Sequence, residues 1–213
     1  MELTVFGATG GIGREIVGQA LAGGHRVTAV VRDPAALTAT GEGLSVVTTD
    51  LGDEAALRDA VAGRDAVLSG LGARGRAAAK SGIAARLTRP VLRALEETGT
   101  RRFLAVSAAP LAPEPADQTF LHRTLVLPLV SAILRPVYDD LRVLEEQVRA
   151  GATDWTLVRP PQLLDRPLTG SYRTALNVNL RKGTQIGRAD VAHAMLAMVD
   201  DPATVKQGVS VAY

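Results

Sequence analysis

A doubly wound α/β fold on a mostly parallel sheet is what the sequence predicts, and three observations carry that expectation. Short apolar runs alternate with stretches of helical periodicity through the first half. No two-residue hairpin turn joins successive runs, so each strand must return through a crossover helix. The first run also ends in a cluster of glycines that opens a helical pattern.

Leu3 to Phe6 reads as the first strand, and Ile12, Ile16, Val17, Ala20 and Leu21 recur at helical spacing until Gly23-Gly24 stops them. Arg26 to Val31 is a second strand and Leu44 to Thr48 a third. Asp53 to Val61 is a helix, Ala66 to Leu68 a strand, and about Lys80 to Glu97 a long helical stretch ending at Gly99. Pro90 bends that stretch or marks a helix start within it. Phe103 to Val106 is the fifth strand, and the Pro-rich segment Ala109 to Pro115 is a loop. The run Phe120 to Val137 is unusually apolar and interrupted by Pro128 and Pro136; Asp139 to Ala150 is an amphipathic helix stopped at Gly151. Trp155 to Val158 and Gly170 to Ala175 read as strands. Asp190 to Val199 is a helix with Asp190 as its N-cap, and Val209 to Ala212 is a last strand. One domain spanning 1–213 is expected, its part from about 109 to 213 shaping a substrate cleft.

Composition narrows the function classes. In 213 residues, 46% are apolar and 22% charged, which excludes intrinsic disorder and leaves enough apolar side chains for a sizeable core. Cysteine is absent, removing disulfides, thiolate nucleophiles and cysteine-held metals. His25, His122 and His193 have no metal-ligand spacing, so no metal site is expected. The net charge is only +2, the arginines are scattered, and aromatics make up 3%, a poor basis for binding nucleic acid. No apolar run approaches roughly 18 residues and no signal-peptide pattern opens the chain, so neither membrane insertion nor export is expected and the reading is cytoplasmic.

The informative segment is Val5-Phe6-Gly7-Ala8-Thr9-Gly10-Gly11-Ile12-Gly13, a G-x-x-G-x-x-G spacing between a strand and an amphipathic helix. Gly7 permits a tight turn off the strand, Gly10 lets the backbone approach a pyrophosphate, and Gly13 lets the helix pack closely on the sheet. Phosphates then sit against the free N–H groups and positive dipole end of the helix. This is the signature of a Rossmann-like dinucleotide site. Arg32 follows the second strand about 20 residues beyond the last glycine, where a carboxylate selects NAD and an arginine accommodates the 2′-phosphate of NADP. NADP(H) is therefore expected over NAD(H), the alternative being a solvated Arg32 with Asp33 starting the next turn.

At nearly full length the chain resembles the atypical short-chain dehydrogenase/reductases with an NAD(P)H-binding fold. It is most similar to their small biliverdin reductase B/flavin reductase-like branch, which overlaps the NmrA-like proteins. The residues that carry the resemblance are VFGATGGIG from Val5, VVRDP from Val30, TTDLGD from Thr48, LGA at Leu71 to Ala73, FLAVSAA from Phe103 and DWTLVRPPQLLDRPLTGSYR from Asp154. The resemblance implies that Gly7, Thr9, Gly10, Ile12 and Gly13 wrap the pyrophosphate and Arg32 holds the 2′-phosphate. It places Asp50 and Leu51 at the adenine, and Leu71 and Gly72 along the path to the nicotinamide ribose. Ser107 and Ala108 would lie beside the nicotinamide, with Pro160, Pro161, Gln162 and Leu163 closing over it.

The proton donor is less clear from the residues. Ordinary short-chain dehydrogenases use Tyr-x-x-x-Lys; here Tyr138 has Arg142 in the lysine position, and arginine cannot shuttle a proton. Ser107 and Tyr138 are the catalytic candidates. Ser107 is placed to hydrogen-bond a nicotinamide or a substrate carbonyl, while the acceptor's proton comes from solvent. His122 is the one histidine near the apolar run. That run is a lid suited to a planar or apolar small-molecule substrate, a core helix, or a subunit contact, and the protein is expected to be a monomer or a homodimer. The expected activity is hydride transfer from NADPH to a flavin, quinone or other conjugated carbonyl acceptor. The alternatives are an NmrA-like NADP(H)-binding redox sensor without turnover and an NAD(P)-dependent epimerase or isomerase.

Overall fold

The computed structural model describes residues 1–72, 80–113 and 127–213. Ala73, His122 and the Phe120 to Val126 part of the apolar run lie outside the described residues. Successive elements are β1 (Glu2–Phe6), α1 (Gly11–Ala22), β2 (Arg26–Val31), β3 (Leu44–Thr48), α2 (Glu54–Val61), β4 (Ala66–Ser69), α3 (Ile83–Thr98) and β5 (Arg102–Val106). They continue with α4 (Leu127–Ala150), β6 (Asp154–Arg159), β7 (Gln162–Leu164), β8 (Arg173–Leu176), β9 (Gln185–Gly187), α5 (Arg188–Ala197) and β10 (Gln207–Ala212).

Eight strands form one sheet in the order β3-β2-β1-β4-β5-β6-β10-β8. Every pairing is parallel except β8 against β10. The order reverses between β1 and β4, the crevice where open α/β sheets hold their ligands. Because side chains alternate across a strand, each central strand feeds two cores. Leu3, Val5, Ala66, Leu68, Leu104 and Val158 face α1 and α5. Phe6, Val67, Phe103, Ala105 and Leu157 face α2, α3 and α4. The result is helix, sheet and helix in three layers, as the doubly wound reading expects.

Two buried polar devices tie the layers together. Arg102 of β5 donates to the carbonyls of Asp154 (2.7 Å), Met198 (2.5 Å) and Val199 (2.9 Å), so a guanidinium sits at the C-terminal end of α5, where cations are favoured. Asp140 of α4 accepts from the amides of Ala84 (2.9 Å) and Ala85 (3.0 Å). It thereby caps α3, whose own N-cap Gly82 has no side chain to do so.

Three expectations need correction. The described part of α4, Leu127–Ala150, runs through both Pro128 and Pro136, so neither proline interrupts it. Pro136 forfeits one bond that the turns on either side survive. Pro90 likewise lies inside α3 and neither starts nor ends it. Asp190 is not the cap of α5: Gly187 holds that position, and Asp190 lies inside the helix, fully buried. Its carboxylate accepts from the amides of Thr169 (3.0 Å) and Gly170 (2.8 Å) and from the Tyr213 hydroxyl (2.6 Å), pinning the segment before β8 onto α5. Burial alone would raise this carboxyl; the bonds from Tyr213, Gly170 and Thr169 outweigh it and hold it below its ordinary value. The short pair β7 and β9, parallel to each other, has no counterpart among the expected strands.

Candidate functional site

The turn from β1 to α1 is set by two close approaches. Gly7 has φ +73°, and a Cβ there would stand 2.8 Å from the carbonyl carbon of Gly70. A Cβ on Gly13 would stand 2.1 Å from the Gly7 carbonyl oxygen. Neither position can take a side chain, because both neighbours are backbone. Gly10 donates its amide to the Gly7 carbonyl at 2.8 Å, which closes the turn. The N-cap of α1 is Gly10, which has no side chain to cap it. Its first amides are therefore available to an anion at the positive end of the helix dipole. Thr9 and Ile12 lie in the same turn, Ile12 buried in the core. These features fit a dinucleotide pyrophosphate.

The remaining candidates gather along the same edge, at the C-terminal ends of the parallel strands. Arg32 follows β2, is exposed, and has no ion-pair partner among the described residues. Asp33, beside it, spends its carboxylate on the Ala35 amide at 3.0 Å. A solvated Arg32 beside an aspartate that starts a turn is compatible with either reading of Arg32-Asp33. Asp50 and Leu51 follow β3. One carboxylate oxygen of Asp50 accepts the Gly52 amide at 2.8 Å. Leu51 is held at φ +70°, uncommon for a bulky side chain, with its amide 3.2 Å from the Thr49 hydroxyl. Leu71 and Gly72 follow β4, Ser107 and Ala108 follow β5, and Pro160 and Pro161 follow β6. Gln162 and Leu163 open β7.

Ser107 is buried, and its hydroxyl donates to Glu145 Oε1 at 2.7 Å. Glu145 projects from α4 and is itself gripped by Arg159, the last residue of β6. Arg159 Nε lies 2.8 Å from Oε1 and Nη2 lies 2.6 Å from Oε2. Arg149 adds a third contact at 3.1 Å. Burial pushes the Glu145 carboxyl up, but the bonds from Arg159 and Ser107 and the charges of Arg159 and Arg149 outweigh it, and the carboxyl stays ionised below its ordinary range.

Tyr138 is assembled differently from the serine. It stands on α4, half-buried, and burial pushes its phenol up, which keeps it protonated. Arg142, the residue in the lysine position, pairs instead with Asp139 at 2.7 Å. Among the described residues no cation thus lowers the pKa of the tyrosine. His193 pairs with the Tyr172 hydroxyl at 2.7 Å. Among the described residues no group of histidine and acidic side chains could hold a metal ion, and no helix is long and apolar enough to cross a membrane. An open cavity of about 700 Å³ between α3 and α4 includes none of these candidates.

Sequence reasoning missed four participants. Gly70 forms the other wall of the Gly7 and Gly13 contact, and its signal was the Gly-Leu-Gly run directly after β4. Glu145 and Arg159 were visible as charges inside apolar patterns, the first between Leu141, Leu144 and Val148, the second closing the Trp155 to Val158 run. Arg188 lies across Gly11 at the start of α1, where a Cβ would meet its Cδ at 2.6 Å; it pairs with Asp165 at 2.6 Å. Nothing local in the sequence links Arg188 to the glycine turn.

Residues 7–202 match the family model described as NAD(P)H-binding. The chain belongs to the NAD(P)H-binding family. A (4-alkanoyl-5-oxo-2,5-dihydrofuran-3-yl)methyl phosphate reductase of Streptomyces griseus is 30% identical to it over 171 residues, which are 78% of this chain and 50% of that protein. The NAD(P)H-binding chain thus spans half the length of that relative. Among solved structures, a candidate NADH-flavin reductase of Streptococcus pneumoniae superposes with TM-score 0.80 at 26% identity, covering 100% of this chain and 99% of its own. A short-chain dehydrogenase/reductase of Veillonella parvula in complex with NADP gives TM-score 0.77 at 18% identity, covering 100% and 94%, a likeness of fold.

Proposed function

We propose that this NAD(P)H-binding protein is an NADPH-dependent oxidoreductase that transfers hydride to a flavin, quinone or other conjugated carbonyl acceptor. The observation that supports it most is the glycine turn, whose contacts exclude side chains at Gly7 and Gly13 and leave the α1 amides open to phosphate. Bound at that edge, the reduced nicotinamide supplies the hydride. The chain's own residues bind and orient: the α1 amides with Thr9 and Gly10 take the pyrophosphate, Arg32 the 2′-phosphate, and the free oxygen of Asp50 the adenine amino group, with Leu51 against the ring. Leu71 and Gly72 border the ribose, and Ser107, Ala108 and Pro160 to Leu163 enclose the nicotinamide end. The acceptor class has support from the curated relative, whose named substrate, an alkanoyl-oxo-dihydrofuran phosphate, is a conjugated carbonyl compound. Among the described residues no side chain at this edge is set up to donate a proton, so solvent protonates the reduced acceptor. In this reading residues 109–213 shape the acceptor cleft of a single domain.

The same lack of a tuned donor favours a second reading, an NADP(H)-binding sensor without turnover. A sensor must distinguish oxidised from reduced cofactor, so equal affinity for the two sinks that alternative. The cofactor preference is tested by Arg32→Ala. A charge-assisted bond to phosphate contributes roughly 1.5–3 kcal/mol, so the variant is expected to bind NADPH about ten- to a hundredfold more weakly and NADH unchanged in paired titrations. Equal losses for both cofactors would remove Arg32 from the 2′-phosphate.

A further inference from the structure

A serine hydroxyl carries one hydrogen and two acceptor lone pairs. In this chain the hydrogen of Ser107 is already committed: it points at Glu145 Oε1, 2.7 Å away. An ionised carboxylate only accepts, so the direction of this bond cannot reverse while Glu145 keeps its charge. Arg159 holds both carboxylate oxygens from a buried position, at 2.8 and 2.6 Å, and Arg149 holds one of them, at 3.1 Å. The Ser107 amide is committed as well, to the Val158 carbonyl at 2.7 Å. What Ser107 can still offer a ligand is oxygen lone pairs.

We propose that Glu145, locked by Arg159, is a positioning residue that makes Ser107 Oγ a dedicated hydrogen-bond acceptor, so that the ligand group facing it must carry an N–H: the carboxamide of the nicotinamide. The inference rests on the cofactor reading above, which places the nicotinamide at the end of β5. It reverses the role a serine has when it donates to and polarises a carbonyl. It also assigns Glu145 and Arg159 a function beyond joining α4 to β6. Ser107 then fixes which way the carboxamide points, and with it which face of the ring is turned to the acceptor.

Two cofactors separate an acceptor from a donor: NADPH, whose carboxamide bears N–H groups, and its reduced 3-acetylpyridine analogue, in which a methyl ketone keeps the carbonyl and removes every N–H. A neutral hydrogen bond contributes roughly 0.5–1.5 kcal/mol, so Ser107→Ala should weaken NADPH binding by about two- to tenfold. The analogue should bind wild type and variant alike. Glu145 retains Arg159 and Arg149 in this variant, so the fold is preserved. Equal weakening of both cofactors would show that Ser107 donates, and no weakening of either would show that it does not touch the nicotinamide; each overturns the proposal. If wild type binds neither cofactor, the cofactor reading itself fails.

Glu145→Gln tests the positioning role. Its amide nitrogen is better placed at the Oε1 position, where Ser107 can accept and one guanidinium N–H, that of Arg159 Nε, faces it, than at Oε2, where two guanidinium groups do. The Ser107 hydrogen is then released toward the ligand, and the preference for NADPH over the analogue should shrink toward that of Ser107→Ala. A purely structural Glu145 would weaken both cofactors equally and leave the preference intact. Should this variant fail to fold, the Ser107→Ala comparison still decides the proposal.

Discussion

Gly13→Ala is expected to abolish useful cofactor binding and to destabilise the fold by about 3 kcal/mol, the upper part of the usual cost of overpacking. The new Cβ would stand 2.1 Å from the Gly7 carbonyl oxygen and 2.7 Å from its carbon. No rotamer relieves that contact, so α1 must back away from β1, carrying with it the amides proposed to face the phosphates. Displacement on the order of 1 Å costs roughly a hundredfold in turnover. Urea unfolding and NADPH titration read the two effects. Gly18, in the same helix, has nothing within 4 Å of its virtual Cβ. Gly18→Ala should therefore stabilise the protein by about 0.5–1 kcal/mol through helix propensity and leave binding unchanged. If Gly13→Ala behaves like Gly18→Ala, the close-packed turn is not what the site depends on.

Glu145→Ala is expected to cost about 3–5 kcal/mol of stability, because it leaves the buried Arg159 guanidinium without its counter-charge. Both partners are nearly inaccessible, their side chains 7% and 3% exposed, so solvent cannot substitute for the lost carboxylate. The loss should depend on pH with a definite sign. The folded-state carboxyl is held below its ordinary value of 4.5. Its contribution is thus fully present above that value and disappears as the pH falls below it toward the lowered one. The stability gap between wild type and Glu145→Ala should accordingly be constant near neutrality and narrow in acid. A gap that stays constant through acid pH would mean that the pair is not ionised as described.

Much of the fold was legible because strong local signals agreed. The runs Arg26 to Val31 and Leu44 to Thr48 are strands at the expected residues. Each is apolar, β-branched and preceded by a glycine within a few residues. The glycine turn was legible for the same reason: its spacing, strand and helix all lie within one short segment. What escaped depends on distant partners. Asp190 looks like a helix cap, yet its acceptors are satisfied by Thr169, Gly170 and Tyr213. The cap of α3 comes from Asp140, more than fifty residues further along the chain. Pro136 sits within a helix because packing of α4 against α3 outweighs one lost backbone bond. The hydrogen bond from Ser107 to Glu145 was not legible either, since Glu145 reaches the end of β5 from α4.

The most direct test of the account is NADPH oxidation by the purified protein, followed by the loss of reduced-nicotinamide absorbance with flavins, quinones and biliverdin as acceptors. Gly10→Asp, which puts a carboxylate where the pyrophosphate should lie, is measured alongside. Turnover by wild type that vanishes in Gly10→Asp is the predicted result and identifies the acceptor class. Failure of the wild-type protein to bind NADPH would contradict the account at its centre, and tight binding with no acceptor reduced would overturn the reductase in favour of the sensor.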